Sequence, residues 1–178
     1  MLKLVLLDRD GVINHQGFGY VQTPADWQPI EGSSSAIARL NARDVIVAVC
    51  SNQSAIGRGI ITREMLGAVN ETMTTTLAAA GAHLDRIFIC PHHPNADCSC
   101  RKPKPGMLCE AISAFNVTPA ETCFIGDSLS DMKAALAANC MPILVLTGHG
   151  RRDEIQARRL GLKRVRENLA EAVSSIVI

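Results

Sequence analysis

The feature that most constrains this chain is the alternation of short apolar runs with longer segments of helical periodicity. Four of the five short runs lack alternating polar residues, which is typical of parallel strands buried on both faces. The predicted strands are residues 2–7, 45–50, 86–90, 122–125 and 142–146. The predicted helices between them are residues 33–41, 62–80, 106–115 and 129–138. This order predicts right-handed crossovers and an α/β fold, a Rossmann-like open parallel sheet with helices on both faces.

Length and charge narrow the possible classes of protein. With 178 residues, 47% of them hydrophobic, we expect residues 1–178 to form a single domain. No inserted segment is large enough for a separate cap domain. A net charge of +1 gives no overall reason to bind nucleic acid or an acidic membrane. The apolar run at the N-terminus is too short for a signal sequence or membrane span, so we expect a cytoplasmic protein.

One segment, residues 151–166, holds seven basic residues against two acids. A nucleic-acid patch is one interpretation of this segment. A solvated helix face is favoured, because no aromatic residues interleave with the cations to stack on bases.

Acidic residues follow two of the predicted strands at the point where each strand ends. Asp8 and Asp10 follow the first strand and point the same way, since they are two residues apart on an extended chain. Asp127 follows the fourth strand, and parallel strands end at one edge of the sheet. Converging carboxylates need a cation, and Mg²⁺ suits oxygen ligands. Asp131, four residues further on, either joins this site or caps and braces the loop.

Groups that suit phosphate are predicted at the same edge. Ser51 and Asn52 follow the second strand, where a hydroxyl and free backbone N–H groups can bind phosphate oxygens. Arg101 and Lys102 stand just before a predicted helix and supply the positive charge that a transferring phosphoryl group needs. Together these residues predict a site for phosphoryl transfer.

Three of the seven cysteines lie with two histidines between residues 90 and 100. An odd number of cysteines without a secretion signal argues against a disulfide framework. Four soft ligands at short spacings suit a tetrahedral, structural Zn²⁺, and these are Cys90, His92, Cys98 and Cys100. His93 is the competing ligand; His92 is favoured because its C-x-H spacing mirrors the C-x-C spacing across the loop.

In chain order, the motifs DRDGVI, CSN, Lys102 and GDSLSD resemble the four motifs of the haloacid dehalogenase superfamily of phosphotransferases, over roughly residues 1–150. The resemblance implies that Asp8 is the nucleophile of an aspartyl-phosphate intermediate and Asp10 the general acid and base. It also implies Mg²⁺ held by the side chains of Asp8 and Asp127 and the backbone carbonyl of Asp10. Ser51 and Lys102 would hold the phosphoryl group.

Further segments are similar to the D-glycero-D-manno-heptose 1,7-bisphosphate phosphatases within that superfamily. These are GYV at 19–21, SNQSAIGRG at 51–59, CPHHP, CRKPKPGM and TGHG at 147–150. The similarity implies hydrolysis of the C7 phosphate of a sugar bisphosphate. Histidinol-phosphate phosphatases share DRDG, the zinc loop and CRKP, so histidinol phosphate or another small phosphomonoester is the alternative. The intact catalytic set argues against a zinc-stabilised binding module that has lost catalysis.

The resemblance also implies a set of substrate contacts. They are Gly19, Tyr20, Asn52, Gln53, Ser54, Arg101 and Lys102. The chain departs from the family pattern at Val12 and Ser51, where Thr is common, and at Ser128, where Lys is often found. We expect a small-molecule substrate as the partner, no nucleic acid or membrane, and a monomer.

Overall fold

The computed structural model describes residues 1–16 and 19–176, and in these ranges it contains one six-stranded sheet. The strands are β1 Leu4–Leu7, β2 Ile46–Asn52, β3 Arg86–Cys90, β4 Thr122–Gly126, β5 Met141–Val145 and β6 Val165–Arg166. All neighbours pair in parallel, in the order β3-β2-β1-β4-β5-β6. The chain leaves β1 towards β2 and later returns to its other side as β4. The switch point therefore lies beside β1, where open α/β sheets bind ligands.

Seven helices surround this sheet in the described residues. They are α1 Ser33–Asn41, α2 Ser54–Gly57, α3 Arg63–Ala79, α4 Gly106–Ala114, α5 Leu129–Ala137, α6 Gly150–Arg159 and α7 Leu169–Ser174. Local signals set the ends of α3: the Thr62 side chain accepts a hydrogen bond of 3.1 Å from the Met65 backbone N–H, and Gly81 follows with a φ of 74°.

The side chains of β1 alternate between two separate cores, one on each face of the sheet. Val5 and Leu7 pack with residues of α1, α3 and α7. Leu4 and Leu6 pack with residues of α4 and α5. All four are fully buried, which explains why the strand has no polar alternation in sequence. The predicted α/β fold with helices on both faces is confirmed.

The elements absent from the predicted set are short or polar. β6 has two residues, α2 four and α7 six, and such elements owe their stability to packing more than to a local pattern. The basic segment overlaps α6, whose four arginines are exposed to solvent, whereas Ala157 of the same helix is buried. Among the described residues, every helix is too short or too polar to span a bilayer.

Candidate active site

A cluster of charged side chains lies at the switch point beside β1. Asp8 and Asp127 follow β1 and β4, which are hydrogen-bonded neighbours. Lys102 Nζ lies 3.0 Å from Asp8 Oδ2 and 2.7 Å from Asp131 Oδ1. Asp8, Asp127 and Asp131 each offer an oxygen within 4.8 Å of the others. The structure thus brings three carboxylates and one ammonium group together at the predicted edge.

Negative charge dominates this cluster. Burial raises the pKa of Asp8 to about 6, against the opposing effect of Lys102 and with the help of Asp131. Burial and then the charges of Asp131 and Asp8 raise the pKa of Asp127 to about 8. Burial lowers the pKa of Lys102, but Asp131 and Asp8 outweigh it and the net shift is upward. Carboxylates that resist ionisation together form a site suited to a hard divalent cation.

Two glycines enclose the carboxylate of Asp127. A Cβ atom on either Gly11 or Gly148 would collide with that carboxylate, and both glycines have positive φ values, 83° and 55°. The backbone N–H of His149 donates a 2.8 Å hydrogen bond to Asp127 Oδ2. The Thr147 hydroxyl donates to the Gly11 carbonyl over 2.6 Å. The loops after β1 and β5 are therefore hydrogen-bonded to each other around Asp127. This close approach explains why glycine stands at position 148 of the TGHG segment.

Asp10 lies beside this cluster in a different environment. Its carboxylate accepts hydrogen bonds from Arg9 Nε at 3.1 Å and Nη2 at 3.0 Å, and from Asn14 Nδ2 and Gln53 Nε2, both at 2.9 Å. Burial raises the pKa of Asp10, but the Arg9 guanidinium and these hydrogen bonds together lower it. The surroundings of Asp10 therefore favour its carboxylate form, whereas those of Asp127 favour the protonated acid.

The end of β2 carries the predicted phosphate-binding residues. Ser51 is buried and its hydroxyl accepts a 2.9 Å hydrogen bond from Gln53 Nε2. Asn52 donates from Nδ2 to the Lys102 carbonyl at 3.1 Å and accepts at Oδ1 from the Lys102 N–H at 3.2 Å. Asn52, predicted as a substrate contact, thus uses its amide to hold the backbone of Lys102. Ser54 is buried at the start of α2.

An open cavity of about 360 Å³ lies over the charged cluster. Gly19, Tyr20 and Arg101, all predicted substrate contacts, line it together with the catalytic candidates. Arg101 Nη1 is buried and has no hydrogen-bond partner among the residues that the structure describes. His149 and Arg152 also line this cavity and were not predicted as site residues.

Asp131 caps a helix and braces the loop before it, which is one of the two roles that the sequence predicts for this residue. It is fully buried, and its Oδ2 accepts hydrogen bonds from the Ser128 backbone N–H at 3.0 Å and hydroxyl at 2.6 Å. The Ser128 hydroxyl in turn accepts from the Asp131 N–H, which forms a capping box at the start of α5. With its other oxygen against Lys102, Asp131 links the α5 cap to the centre of the cluster.

The predicted zinc ligands form a second cluster, between β3 and α4. Cys90 Sγ lies 3.6 Å from both Cys98 Sγ and His92 Nδ1, and His92 Nδ1 lies 3.3 Å from Cys100 Sγ. All four ligand atoms lie within 4.8 Å of one another. His93 Nδ1 instead accepts a hydrogen bond from the Asn95 backbone N–H. Three sulfurs and one imidazole nitrogen fit a tetrahedral Zn²⁺.

The zinc loop is tightly packed on two helices. A Cβ atom on Gly57 of α2 would collide with the backbone of residues 91–93, and one on Gly106 of α4 would collide with the backbone of Ser99. The loop then leads directly from Cys100 into Arg101 and Lys102. It therefore links the second cluster to the charged site.

The parallel sheet and the charged cluster at its edge are typical of haloacid dehalogenase-like phosphatases, and comparison with known proteins agrees with this class. The HAD-hydrolase-like family model matches residues 99–172. The D-glycero-beta-D-manno-heptose-1,7-bisphosphate 7-phosphatase of Bordetella bronchiseptica is 40% identical over 176 residues, 99% of this chain and 98% of that protein. The same-named protein of Pseudomonas aeruginosa is 44% identical over 148 residues, 83% of each chain. This chain belongs to that family of haloacid dehalogenase-like phosphatases.

Solved structures give the same result. The crystal structure of D,D-heptose 1,7-bisphosphate phosphatase from B. bronchiseptica, complexed with magnesium and phosphate, is 41% identical and has a TM-score of 0.93. It covers 99% of this chain, which covers 98% of that one. The corresponding phosphatase from Burkholderia thailandensis is 35% identical, with a TM-score of 0.75 and 98% coverage of each chain.

Proposed function

We propose that this protein hydrolyses the C7 phosphate of D-glycero-D-manno-heptose 1,7-bisphosphate through an aspartyl-phosphate on Asp8. The observation that carries the proposal is the position of Asp8, at the floor of the cavity with its carboxylate 3.0 Å from the Lys102 ammonium. The substrate class is supported by relatives that match this chain over nearly their whole length and are named as heptose 1,7-bisphosphate phosphatases.

The side chains divide the reaction between them. The Asp8 carboxylate attacks phosphorus while the Ser51 hydroxyl and the Lys102 ammonium hold the phosphoryl oxygens. In its protonated form, Asp10 passes its proton to the departing sugar oxygen, which leaves the carboxylate that Arg9 and Gln53 stabilise by hydrogen bonds. As a carboxylate, it then takes a proton from the water that hydrolyses the aspartyl-phosphate. Asp131 holds Lys102 in place, and Asn52 holds the backbone on which Lys102 is carried.

Both proposed metals fit their donor atoms. Mg²⁺ would be held by the side chains of Asp8 and Asp127 and the backbone carbonyl of Asp10, and the raised pKa values of the two carboxyls show the charge it would neutralise. Bound there, it stabilises negative charge on the transferring phosphoryl group. Zn²⁺ would be held by the Cys90, His92, Cys98 and Cys100 cluster and would act structurally.

The cavity favours a bisphosphate over histidinol phosphate. Its wall carries two arginines beyond the catalytic lysine: Arg101, and the exposed Arg152, which forms an ion pair with Asp153 at 2.7 Å. A second phosphate matches these cations, whereas histidinol phosphate brings an ammonium group that they would repel. Gly19, Tyr20 and Gln53 complete the proposed substrate contacts, and Ser54 is a proposed contact through its position after Gln53.

A direct comparison of substrates tests this function. With Mg²⁺ present, we expect kcat/KM for the heptose bisphosphate to exceed that for histidinol phosphate by about 100-fold, because the missing charge-assisted contacts are strong. Arg101→Ala should remove most of that difference. Lys104→Ala is the matched control, because this exposed side chain pairs with Asp97 and is not among the described residues that line the cavity over the charged cluster. A kcat/KM for histidinol phosphate equal to that for the bisphosphate would refute the substrate assignment.

Protons and Mg²⁺ should compete for the charged cluster. Since the pKa values of Asp8 and Asp127 lie at about 6 and about 8, Mg²⁺ affinity will rise between these pH values and level off above them. At pH 7 binding should release close to one proton, mainly from Asp127. Calorimetric titrations in two buffers of different ionisation enthalpy measure this release, and Asp127→Asn should abolish most of it. If the affinity for Mg²⁺ does not change between pH 6 and pH 8, the expectation is contradicted.

The remaining proposals concern the whole chain. We propose that residues 1–178 act as one phosphatase domain, as a monomer, on a small molecule in the cytoplasm. Support comes from the single sheet, which includes strands from both halves of the chain, and from the seven cysteines, none of which forms a disulfide, as is typical of reducing compartments.

A further inference from the structure

Arg9, between the two catalytic aspartates, is the largest fully buried side chain of the described residues. It is 1% exposed, and each of its guanidinium nitrogens donates a hydrogen bond. Nε and Nη2 form a fork on the Asp10 carboxylate, Nη2 also donates to Gln53 Oε1 at 3.2 Å, and Nη1 donates to Asn70 Oδ1 at 3.2 Å. The mechanism described above gives this buried cation no role.

A buried arginine is retained only when its charge is compensated and its donors are satisfied. Here the compensating anion is the general acid and base itself. The planar fork fixes the plane of the Asp10 carboxylate as well as its charge, which a lysine could not do. Asn70 lies on α3, a helix of 17 residues, so the far end of the guanidinium is anchored on a rigid element.

Arg9 also sets the direction of a second side chain. Because Gln53 Oε1 faces Arg9, Gln53 Nε2 faces Asp10 Oδ2 and Ser51 Oγ, both at 2.9 Å. Asp10 accepts from the Gln53 NH₂ group and Arg9 donates to the Gln53 oxygen, so the two residues select the same orientation of the amide. The Arg9–Gln53 pair therefore connects the proton-transfer group to the hydroxyl proposed to bind the phosphoryl group.

We propose that Arg9 is a positioning residue for proton transfer: anchored by Asn70, it holds the Asp10 carboxylate and the Gln53 amide in the orientation that serves the leaving oxygen. The proposal rests on the proposed function in one respect, the role of Asp10 as general acid and base. The Arg9 guanidinium donates to Asp10, Gln53 and Asn70, whereas the contact of Arg9 with Asp8 is made by its backbone N–H, at 2.7 Å from Oδ1.

The test is the dependence of an Arg9→Met variant on the leaving group. For the sugar bisphosphate, whose alkoxide must be protonated as it leaves, kcat/KM should fall about 100-fold. For p-nitrophenyl phosphate and acetyl phosphate, whose leaving groups depart as stable anions, kcat/KM should fall less than about 5-fold. Both series are measured at saturating Mg²⁺. Arg9→Lys should remain well below wild type on the sugar ester, since a lysine keeps the charge but loses the fork.

A second variant keeps the test decisive if Arg9→Met does not fold. Asn70→Ala removes the anchor without touching Asp10, and should lower kcat/KM for the sugar ester about 10-fold, with the same sparing of activated esters. Glu71→Ala, an exposed neighbour on α3, is the control and should match wild type.

Equal losses on both ester classes, in either variant, would mean a purely structural role and would overturn the proposal. So would an Asn70→Ala variant with unchanged kcat/KM on the sugar ester. A wrong substrate assignment gives a different result: wild type would prefer another alkyl phosphate. That ester would then replace the bisphosphate in the same comparison.

Discussion

Replacing Asp8 with asparagine should reduce phosphate release at least about 10⁴-fold, the scale on which loss of a catalytic nucleophile acts. A neutral amide cannot form the acyl phosphate that the first step requires. The fold should survive, because asparagine keeps the shape and can still accept the 2.7 Å hydrogen bond from the Arg9 backbone N–H. The substitution also removes a buried negative charge from a cluster in which burial raises the pKa of Asp8 to about 6.

Steady-state phosphate release and acid-quenched labelling with radioactive phosphate both measure this loss. Wild type should accumulate protein-bound phosphate, and the variant none. Asp44→Asn is the matched control: it makes the same chemical change at an exposed position with a φ of 56°, a conformation that asparagine tolerates. Near-wild-type turnover by Asp8→Asn would show that another group attacks phosphorus.

Replacing Cys98 or Cys100 with serine should reduce zinc content to near zero and lower kcat/KM strongly. Ordering a loop residue costs about 1–2 kcal/mol, and structural zinc contributes roughly 10–16 kcal/mol in small peptide sites, enough to hold residues 91–104. Lys102 follows two residues after Cys100 and is 2% exposed, with its ammonium 2.9 Å from the Cys50 carbonyl. Releasing the loop therefore withdraws the cation from Asp8.

Zinc analysis by mass spectrometry, kinetics and circular dichroism separate these effects. The parallel sheet should remain folded, with some loss of thermal stability because Cys98 and Cys100 pack against the core between the sheet and α4. Cys109→Ser, which removes an exposed thiol on α4 outside the cluster, should match wild type in all three measurements. A Cys98→Ser protein that loses zinc yet keeps wild-type kcat and KM would show that zinc does not position Lys102.

The four zinc ligands could be predicted from the sequence, because cysteines and histidines at such short spacings, in a chain whose cysteines form no disulfides, usually bind a metal. The choice of His92 over His93 rested on the symmetry of the spacing, and the structure places His92 Nδ1, not a nitrogen of His93, among the three sulfurs. Packing of the loop through Gly57 had no signal in sequence, because α2 is only four residues long.

The sequence by itself determined the parallel sheet and the edge at which the chemistry lies. Buried parallel strands leave continuous apolar runs, and residues that directly follow such runs, among them Asp8, Ser51 and Asp127, must meet at one edge. Only the tertiary structure decided which polar groups pair there. Arg9 binds Gln53 and Asn70, 44 and 61 residues away, and Asn52 holds Lys102, 50 residues away. These partners are determined by the packing of the fold, because a buried polar group forms hydrogen bonds with the groups that the fold places next to it. A local sequence pattern contains no information about residues so far apart in the chain.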